Sequence, residues 1–323
     1  MRDVKLFRKT AIVFSLIFSL IFVSGCSTTQ TPQQHSKSPE QKTSLQTIYP
    51  LVFKDDAGVE TTLKSKPQRI VSFVPASTET LFALGLEGKV IAVTKYDDYP
   101  QGIQQKVEYI FEDSLHPNVE QILKLNPDLI VLGMQDEKTV SSIRNLKIPV
   151  VQVNPQSLEA TYKTIEKFGQ ITDAQEQAKK IVDGMKLKEK TISDKVATIK
   201  STDRAKVWIE VDPDLFTAGE GTFLNELLTK AGGINIASDV KDWAQYSAEK
   251  VIAKNPQVIL DTYSYYLPNV KDTILVRPAW QTIEAVKNKK VYDLDSDMVT
   301  RPGPRIVDGL ESIAKAIYPE LFK

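Results

Sequence analysis

The chain has few of the side chains on which most catalytic and metal sites depend. Its 323 residues include one cysteine, Cys26, and two histidines, His35 and His116. No H-x-x-x-H or C-x-x-C spacing occurs, and one cysteine cannot form a disulfide within the chain. A glycine-rich phosphate loop and a G-x-S-x-G nucleophile elbow are also missing. We therefore expect no bound metal, no cofactor and no enzymatic activity, although the plentiful carboxylates leave a hydrolase open.

The chain also lacks an excess of either charge. It contains 41 lysines and arginines against 41 aspartates and glutamates, so nothing in it predicts nucleic-acid binding. With 41% hydrophobic and 25% charged residues, the composition is that of an ordinary globular protein. The length is sufficient for two domains, each with its own core.

The N-terminus carries the features of a secretory signal rather than of a folded domain. Basic residues precede an uncharged apolar run at 10–23, and the small residues of "VSGC" lead to Cys26. This ending resembles the bacterial lipobox, in which the cysteine is lipidated. The alternative is a signal anchor, but the run of about 14 residues is short for a membrane span of about 20. We expect a signal peptide at 1–25 and a disordered tether at 26–48.

Apolar strands alternate with helices on both sides of a long strand-free segment. Residues 49–156 and 203–323 each predict a β-α alternation, which is typical of parallel sheets covered by helices. Residues 157–202 predict two helices. The second is expected at roughly 173–199 and is long enough for a strut of about 40 Å. The sequence thus predicts an α/β lobe, a long helix and a second α/β lobe.

Two stretches of the chain repeat one another, one in each predicted lobe. They are "EQILKLNPDLIVL" (120–132) and "EKVIAKNPQVILD" (249–261). Each opens with a glutamate, Glu120 or Glu249, and continues through an apolar helical pattern to Asn-Pro and a short apolar run. Compensation of the helix dipole explains a glutamate in a first turn. It explains less well why both lobes have one at the matching place.

Helix caps can be assigned to polar residues that precede apolar helical patterns. Asn118 and Ser247 are expected to cap the two repeated helices, which would put both glutamates at the second helical position. Ser77 or Thr78 is expected to cap the first helix of the first lobe.

Aromatic side chains cluster in four segments that are predicted to be loops. The segments are "KYDDYP" (95–100), "LFTAG" (215–219), "DWAQY" (242–246) and "TYSYYLP" (262–268). Ligands of α/β sheets lie where loops leave the carboxyl ends of strands, and several of these loops follow strands. The clusters therefore favour a binding site. The alternative for Tyr263, Tyr265 and Tyr266 is that they cover the core.

The stretch "SDMVTRPGPR" (296–305) holds two arginines in a segment that its prolines stiffen. A fixed guanidinium, at Arg301 or Arg305, suits bidentate recognition of a carboxylate, a phosphate or an amide oxygen. The alternative is a structural ion pair with an aspartate such as Asp297.

Several of these motifs, in this order, resemble those of a known family. They are the lipobox, "VSFVPASTETLFALG", "NVEQILKLNPDLIV", the long interlobe helix and "RPGPR", and together they cover roughly 50–320. The family comprises the substrate-binding proteins of ABC importers for vitamin B12, ferric siderophores and haem. The resemblance implies two Rossmann-like lobes joined by a single long α-helix, the class III periplasmic-binding-protein fold, with the ligand in the cleft between the lobes.

Within that family the vitamin B12 binders look most similar. Four of their patterns occur in this chain. Their Y-x-D-Y-P matches "YDDYP", and their Phe-Thr-Ser-Gly resembles "FTAG". One of their tryptophans corresponds to Trp243, and their Ser-Asp…Arg…Pro-Arg matches "SDMVTRPGPR". The resemblance implies that five residues line the cleft: Tyr96, Phe216, Trp243, Asp297 and Arg301.

The chain departs from the vitamin B12 binders at two positions in the first lobe. It has Ser114 and Gly133 where those proteins have tryptophans. Either a corrin face is less well stacked here, or Phe111 substitutes.

The function implied by the resemblance is that of a monomeric, lipid-anchored receptor on the extracytoplasmic face of the cell membrane. It would capture a corrinoid and deliver it to an ABC permease dimer, with Glu120 and Glu249 presented to arginines on the two permease subunits. The nearest alternative ligand is a ferric siderophore or haem. The alternative from another class is a surface lipoprotein enzyme.

Overall fold

The computed structural model describes residues 46–323. The predicted signal peptide, the predicted lipidation site at Cys26 and nearly all of the predicted tether lie outside these residues. Thr47, at the end of that tether, is buried. Its backbone N–H donates to Asp173 at 2.8 Å and its hydroxyl to the Gln170 carbonyl at 2.6 Å. The packed part of the chain therefore begins before Tyr49.

The first lobe is a parallel sheet preceded by a hairpin. Its strands are β1 (Leu51–Lys54), β2 (Glu60–Leu63), β3 (Ile70–Ser72), β4 (Val90–Thr94), β5 (Tyr109–Phe111), β6 (Leu129–Leu132) and β7 (Val150–Gln152). β1 and β2 pair antiparallel, and the other strands form a sheet in the order β5-β4-β3-β6-β7. β4 and β6 are buried at every position, as expected for strands covered on both faces.

Three helices cover this sheet: α1 (Pro75–Ala83), α2 (Val119–Leu125) and α3 (Glu137–Arg144). The predicted cap of α1 is wrong, because Ser77 and Thr78 lie inside the helix. Pro75 begins it, since proline has a helical φ and needs no partner for a missing N–H. The Thr78 hydroxyl instead donates to Ser72 Oγ at 2.9 Å and stays buried.

Two antiparallel helices connect the lobes, α4 (Leu158–Ile171) and α5 (Gln175–Val196). α5 is slightly shorter than predicted, and its 22 residues span about 33 Å. Lys188 of α5 binds Asp308 and Glu311 of the second lobe at 2.5 and 2.7 Å.

The second lobe contains a parallel sheet and a separate antiparallel ribbon. Its strands are β8 (Lys206–Glu210), β9 (Phe216–Ala218), β10 (Ile234–Asn235), β11 (Trp243–Gln245), β12 (Val258–Asp261) and β13 (Val291–Asp293). The parallel sheet has the order β10-β8-β12-β13, and β9 and β11 form the ribbon. The helices are α6 (Phe223–Lys230), α7 (Ala248–Lys254), α8 (Val270–Leu275), α9 (Glu284–Lys287), α10 (Ser296–Thr300) and α11 (Ile306–Ile317).

One hydrophobic core is continuous through both lobes and the connecting helices. It includes Ile70 and Leu129 of the first sheet, Phe168 of α4, Val207 of β8 and Leu310 of α11. The connecting helices are thus part of the core of each lobe, and they fix where the two sheets lie. Between residues 46 and 323, no helix has the length and apolar character that a membrane crossing needs.

Candidate ligand cleft

A cavity of about 670 Å³ lies between the lobes. This volume is typical of small-molecule sites. Its lining residues are Lys95, Tyr96 and Asp98 from the first lobe, and Ser264, Tyr265, Asp293, Leu294, Asp295, Ser296, Asp297 and Arg301 from the second. Every lining segment follows or ends a strand, namely β4, β12 or β13, as expected for ligand sites of parallel sheets.

Arg301 joins the two lobes across this cavity. Its guanidinium donates to Asp98 Oδ1 at 2.6 Å and to the Tyr96 carbonyl at 3.2 Å, and it pairs with Asp297 at 2.9 Å. Burial raises the pKa of Asp98, but the hydrogen bond and charge of Arg301 outweigh this, so the pKa lies below its usual range. Burial is the main cause that raises the pKa of Asp297, the charge of Arg301 lowers it and the charge of Asp98 raises it further, with a net value of about 6. Arg301 therefore holds both carboxylates in one arrangement.

Arg305 makes a second and more buried contact between the lobes. It forms a bidentate pair with Glu79 of α1, at 2.9 and 2.6 Å, and lies over the Tyr99 ring at 3.8 Å from its centroid. The Glu79 side chain is almost fully buried. Arg305 is thus a structural residue that holds the 296–305 segment against the first lobe.

The structure brings three of the five predicted ligand residues into the cavity lining: Tyr96, Asp297 and Arg301. Phe216 and Trp243 are not among the lining residues. They lie on the β9–β11 ribbon, where the strand register puts both side chains on the same face. They are 40% and 53% exposed, so this face presents two accessible aromatic rings.

The three tyrosines after β12 differ in their surroundings. Tyr263 is buried, and its hydroxyl donates to Glu210 at 2.6 Å. Tyr265 lines the cavity and is 76% exposed, and Tyr266 is half exposed beside it. Phe111 cannot substitute for a missing tryptophan at the ligand, because it is buried against Phe73 with ring centroids 4.8 Å apart.

The cavity lining has more acidic than basic side chains. Asp98, Asp293, Asp295 and Asp297 line it, and within the described part of the chain its basic lining residues are Lys95 and Arg301. Arg301 is already paired with two of the aspartates, and Lys95 lies 3.7 Å from Glu112. Sequence reasoning missed Asp293 and Asp295, although "VYDLD" places them where an apolar strand ends.

The repeated helices are built alike. Asn118 caps α2 by accepting from the Glu120 N–H at 2.9 Å, and Ser247 caps α7, so both predicted caps are confirmed. Each helix ends at an asparagine in the left-handed conformation, with φ of 47° in α2 and 48° in α7, directly before the proline. Glu120 and Glu249 are both exposed at the second helical position. Neither has an ion-pair partner within residues 46–323.

Comparison with known proteins identifies relatives over nearly the whole chain. A family model described as periplasmic binding protein matches residues 70–298. The chain is 37% identical over 324 residues to the uncharacterized ABC transporter substrate-binding lipoprotein YvrC of Bacillus subtilis, covering 98% of this chain and 99% of that protein. It is 25% identical over 316 residues to a cobalamin-binding protein of Halobacterium salinarum, covering 96% and 84%.

A solved structure supports the fold. A possible iron-binding (periplasmic solute-binding) protein of Staphylococcus epidermidis superposes with a TM-score of 0.70 at 34% identity, covering 79% of this chain and 100% of that one. The predicted class III fold, two α/β lobes joined by a single long α-helix, is confirmed; the long helix is α5, and the shorter α4 precedes it.

We expect Arg305→Met to destabilise the protein by about 3 kcal/mol, because it leaves Glu79 buried without a counter-charge. Chemical denaturation at pH 7 measures this loss. Lys190→Met is the control, since it removes an exposed pair with Asp194 on α5 that is worth only about 0.3–0.5 kcal/mol. Equal losses in the two variants would contradict the structural role of Arg305.

Proposed function

The chain belongs to the periplasmic binding protein family, and from that premise we propose that it captures a corrinoid outside the cytoplasm and delivers it to an ABC importer. The family serves transport, and relatives named as an ABC transporter substrate-binding lipoprotein and as a cobalamin-binding protein support this role. A surface lipoprotein enzyme, the alternative from another class, has no support from these relatives. Saturable binding without turnover of the ligand distinguishes the two classes.

The charge of the cleft is the observation that carries the choice of ligand. Four aspartates line it, and its two basic side chains already have acidic partners. An anionic ligand, such as the propionates of haem or a catecholate siderophore, would meet repulsion. A corrinoid presents carboxamide N–H groups, and carboxylates are strong acceptors of hydrogen bonds from such donors. The nearest alternative is a ferric siderophore, which the iron-binding description of the Staphylococcus epidermidis structure favours.

Exposed aromatic rings supply the surface for a large flat ligand. Tyr96 lines the cavity and is 53% exposed, and Tyr265 lies on the opposite lobe. We place Phe216 and Trp243 at the rim, where closure of the cleft would bring their shared ribbon face against the ligand. Asp297 and Arg301 contact its polar edge.

The two exposed glutamates fit a docking role. A two-lobed protein that meets a two-fold permease needs matching contacts on each lobe. α2 and α7 each supply a side-chain cap, a glutamate at the second helical position and an Asn-Pro ending. Single exposed ion pairs add little affinity, so their main effect is to orient docking and to raise its rate. In this proposal the receptor is a monomer, held at the membrane by acyl groups on Cys26.

We expect alanine at Tyr96, Phe216, Trp243, Asp297 or Arg301 to weaken cyanocobalamin binding several-fold. An aromatic contact contributes about 0.5–1.5 kcal/mol beyond area burial. Isothermal titration of the purified full-length protein measures the dissociation constants. Tyr109→Ala, a surface aromatic outside the cleft, is the control and should bind normally. Unchanged affinity in all five variants would show that these residues do not form the binding site, whichever ligand the protein takes.

Glu120→Arg and Glu249→Arg should each impair corrinoid uptake by cells while ligand affinity of the isolated protein changes less than about twofold, because the reversed charges repel the permease arginines. Glu137→Arg, in the exposed first turn of α3, has the same effect on a helix dipole and should leave uptake normal. If ligand binding falls together with uptake, or if the double reversal still supports uptake, the docking role is wrong and dipole compensation is sufficient.

Cys26→Ser should release the protein from the membrane fraction of cells, because two acyl chains at about 0.8 kcal/mol per buried CH₂ provide its attachment. Fractionation followed by immunoblotting measures the distribution. A variant that stays wholly with the membrane would show that the N-terminal apolar run, and not the lipid, is the anchor.

A further inference from the structure

Three carboxylates lie side by side where the second sheet reaches the cleft. Glu210 ends β8, Asp261 ends β12 and Asp293 ends β13, and the register pairs Asp261 with both of the others. Register partners in a parallel sheet extend from the same face, on strands about 4.8 Å apart. Three like charges at this spacing cannot all be ionised unless something compensates them.

Glu210 is compensated by its neighbours. Arg277 donates two hydrogen bonds to its carboxylate, at 2.8 and 2.6 Å. The Trp208 indole and the Tyr263 hydroxyl donate two more, at 2.9 and 2.6 Å. The guanidinium also lies over the Trp280 ring at 4.2 Å, which fixes its position. Glu210 and Arg277 therefore form a neutral ion pair, so the positive charge of Arg277 does not compensate a second carboxylate.

Asp261 has no such partner. Its side chain is fully buried, and within residues 46–323 neither of its carboxylate oxygens accepts a hydrogen bond of normal geometry. Glu210 faces it from β8, Asp293 faces it from β13, and Tyr263 follows in its own loop. The guanidinium of Arg277 is bound to Glu210, and a buried carboxylate without a partner is strongly unfavourable.

We propose that Asp261 carries a proton at neutral pH and donates it to Asp293, and that Asp261 thereby positions the Asp293 carboxylate to accept an N–H group of the ligand. Asp293 lines the cleft, so its other oxygen is available to a bound molecule. Asp261 is a positioning residue in this arrangement, since it acts on the ligand only through Asp293. The identity of the ligand rests on the proposed function, because carboxamides of a corrinoid supply the N–H group; the shared proton does not depend on it.

The environment of Asp261 agrees with this protonation state. Burial is the main cause that raises its pKa from 3.8 to about 8; the adjacent Asp293 carboxyl group and the charge of Glu210 contribute to the rise, and the backbone N–H of Tyr263 lowers the pKa. The unfolded chain loses this proton near pH 4, whereas the folded protein keeps it up to about pH 8. Stability from this group is therefore complete below pH 4, falls as the pH rises from about 4 to 8, and is constant above that.

The first arm of the test measures thermal unfolding of the full-length protein and of Asp261→Asn between pH 5 and pH 9. The amide that this substitution introduces donates to Asp293 but cannot ionise. The difference in Tm between variant and wild type should increase up to about pH 8, by at least about 5 °C, and then level off. Asp194→Asn, an exposed site on α5, is the control and should follow the wild-type curve.

The second arm measures cyanocobalamin affinity at pH 6.5 and pH 9. Wild-type affinity should fall several-fold at pH 9, when Asp261 loses its proton and repels Asp293. Asp261→Asn should match the wild type at pH 6.5 within about twofold and keep that affinity at pH 9. Asp261→Leu, which has a similar shape and no donor, should bind several-fold more weakly at both pH values.

Several results would overturn the proposal. Parallel Tm curves for wild type and Asp261→Asn would mean that no proton is shared. A wild-type Tm at pH 8 that rises specifically with sodium, potassium or magnesium chloride, and does not in Asp261→Asn, would mean that a cation compensates Asp261. Equal cyanocobalamin affinities of Asp261→Leu and Asp261→Asn would show that Asp261 does not position Asp293 for the ligand. If cyanocobalamin does not bind at all, the corrinoid proposal fails, and the Tm curves alone decide whether the proton is shared.

Discussion

The pair between Arg305 and Glu79 crosses from one lobe to the other, with the acid almost fully buried. A buried ion pair is favourable only when both charges stay within hydrogen-bond distance, so this contact permits little variation in how the 296–305 segment meets α1. Arg301, four residues earlier, is held by the same segment and reaches Asp98 on the first lobe. The position of the acidic cleft residues therefore follows from the way these two arginines are anchored, with α4 and α5 fixing the sheets behind them.

The negative charge of the cleft restricts the choice of ligand more than the volume of the cleft does. Many molecules fit a cavity of about 670 Å³, but those with a net negative charge lose free energy on approaching four aspartates. Ligands rich in N–H donors gain from the same groups. Three neighbouring carboxylates at the ends of strands, Glu210, Asp261 and Asp293, show how the fold accommodates so many acidic side chains. Glu210 is paired with an arginine and Asp293 faces the open cleft. We infer that Asp261, between them, is protonated.

Much of the fold followed from periodicity, because the long buried strands and amphipathic helices leave strong patterns. The repeat was informative in detail: Asn118 and Ser247 cap as expected, and Asn-Pro marks a left-handed helix end in both copies. No strand was predicted at β5, β9, β10 or β11, because these strands of two or three residues do not lie within a longer apolar run, whereas the equally short β3 and β7 do. The predicted cap of α1 was wrong because the helix begins at Pro75, three residues before the start that a Ser77 cap would give.

The site was less predictable than the fold, since it depends on contacts between distant segments. Nothing local to Arg305 indicates that it binds Glu79, 226 residues away. Phe111 is an aromatic residue at the end of a strand, as ligand-binding residues often are. It is nevertheless buried in the core, where it packs against Phe73. Asp261 follows an apolar strand like Asp293, and only the register shows that it is enclosed between two other acids.

Isothermal titration of the full-length protein with cyanocobalamin, haemin and a ferric hydroxamate siderophore, in parallel and at pH 7, tests the central claim most directly. The account predicts one saturable site for cyanocobalamin with a Kd below about 1 μM, and binding of haemin at least about tenfold weaker. Absence of cyanocobalamin binding, or tighter binding of haemin or the siderophore, would contradict it.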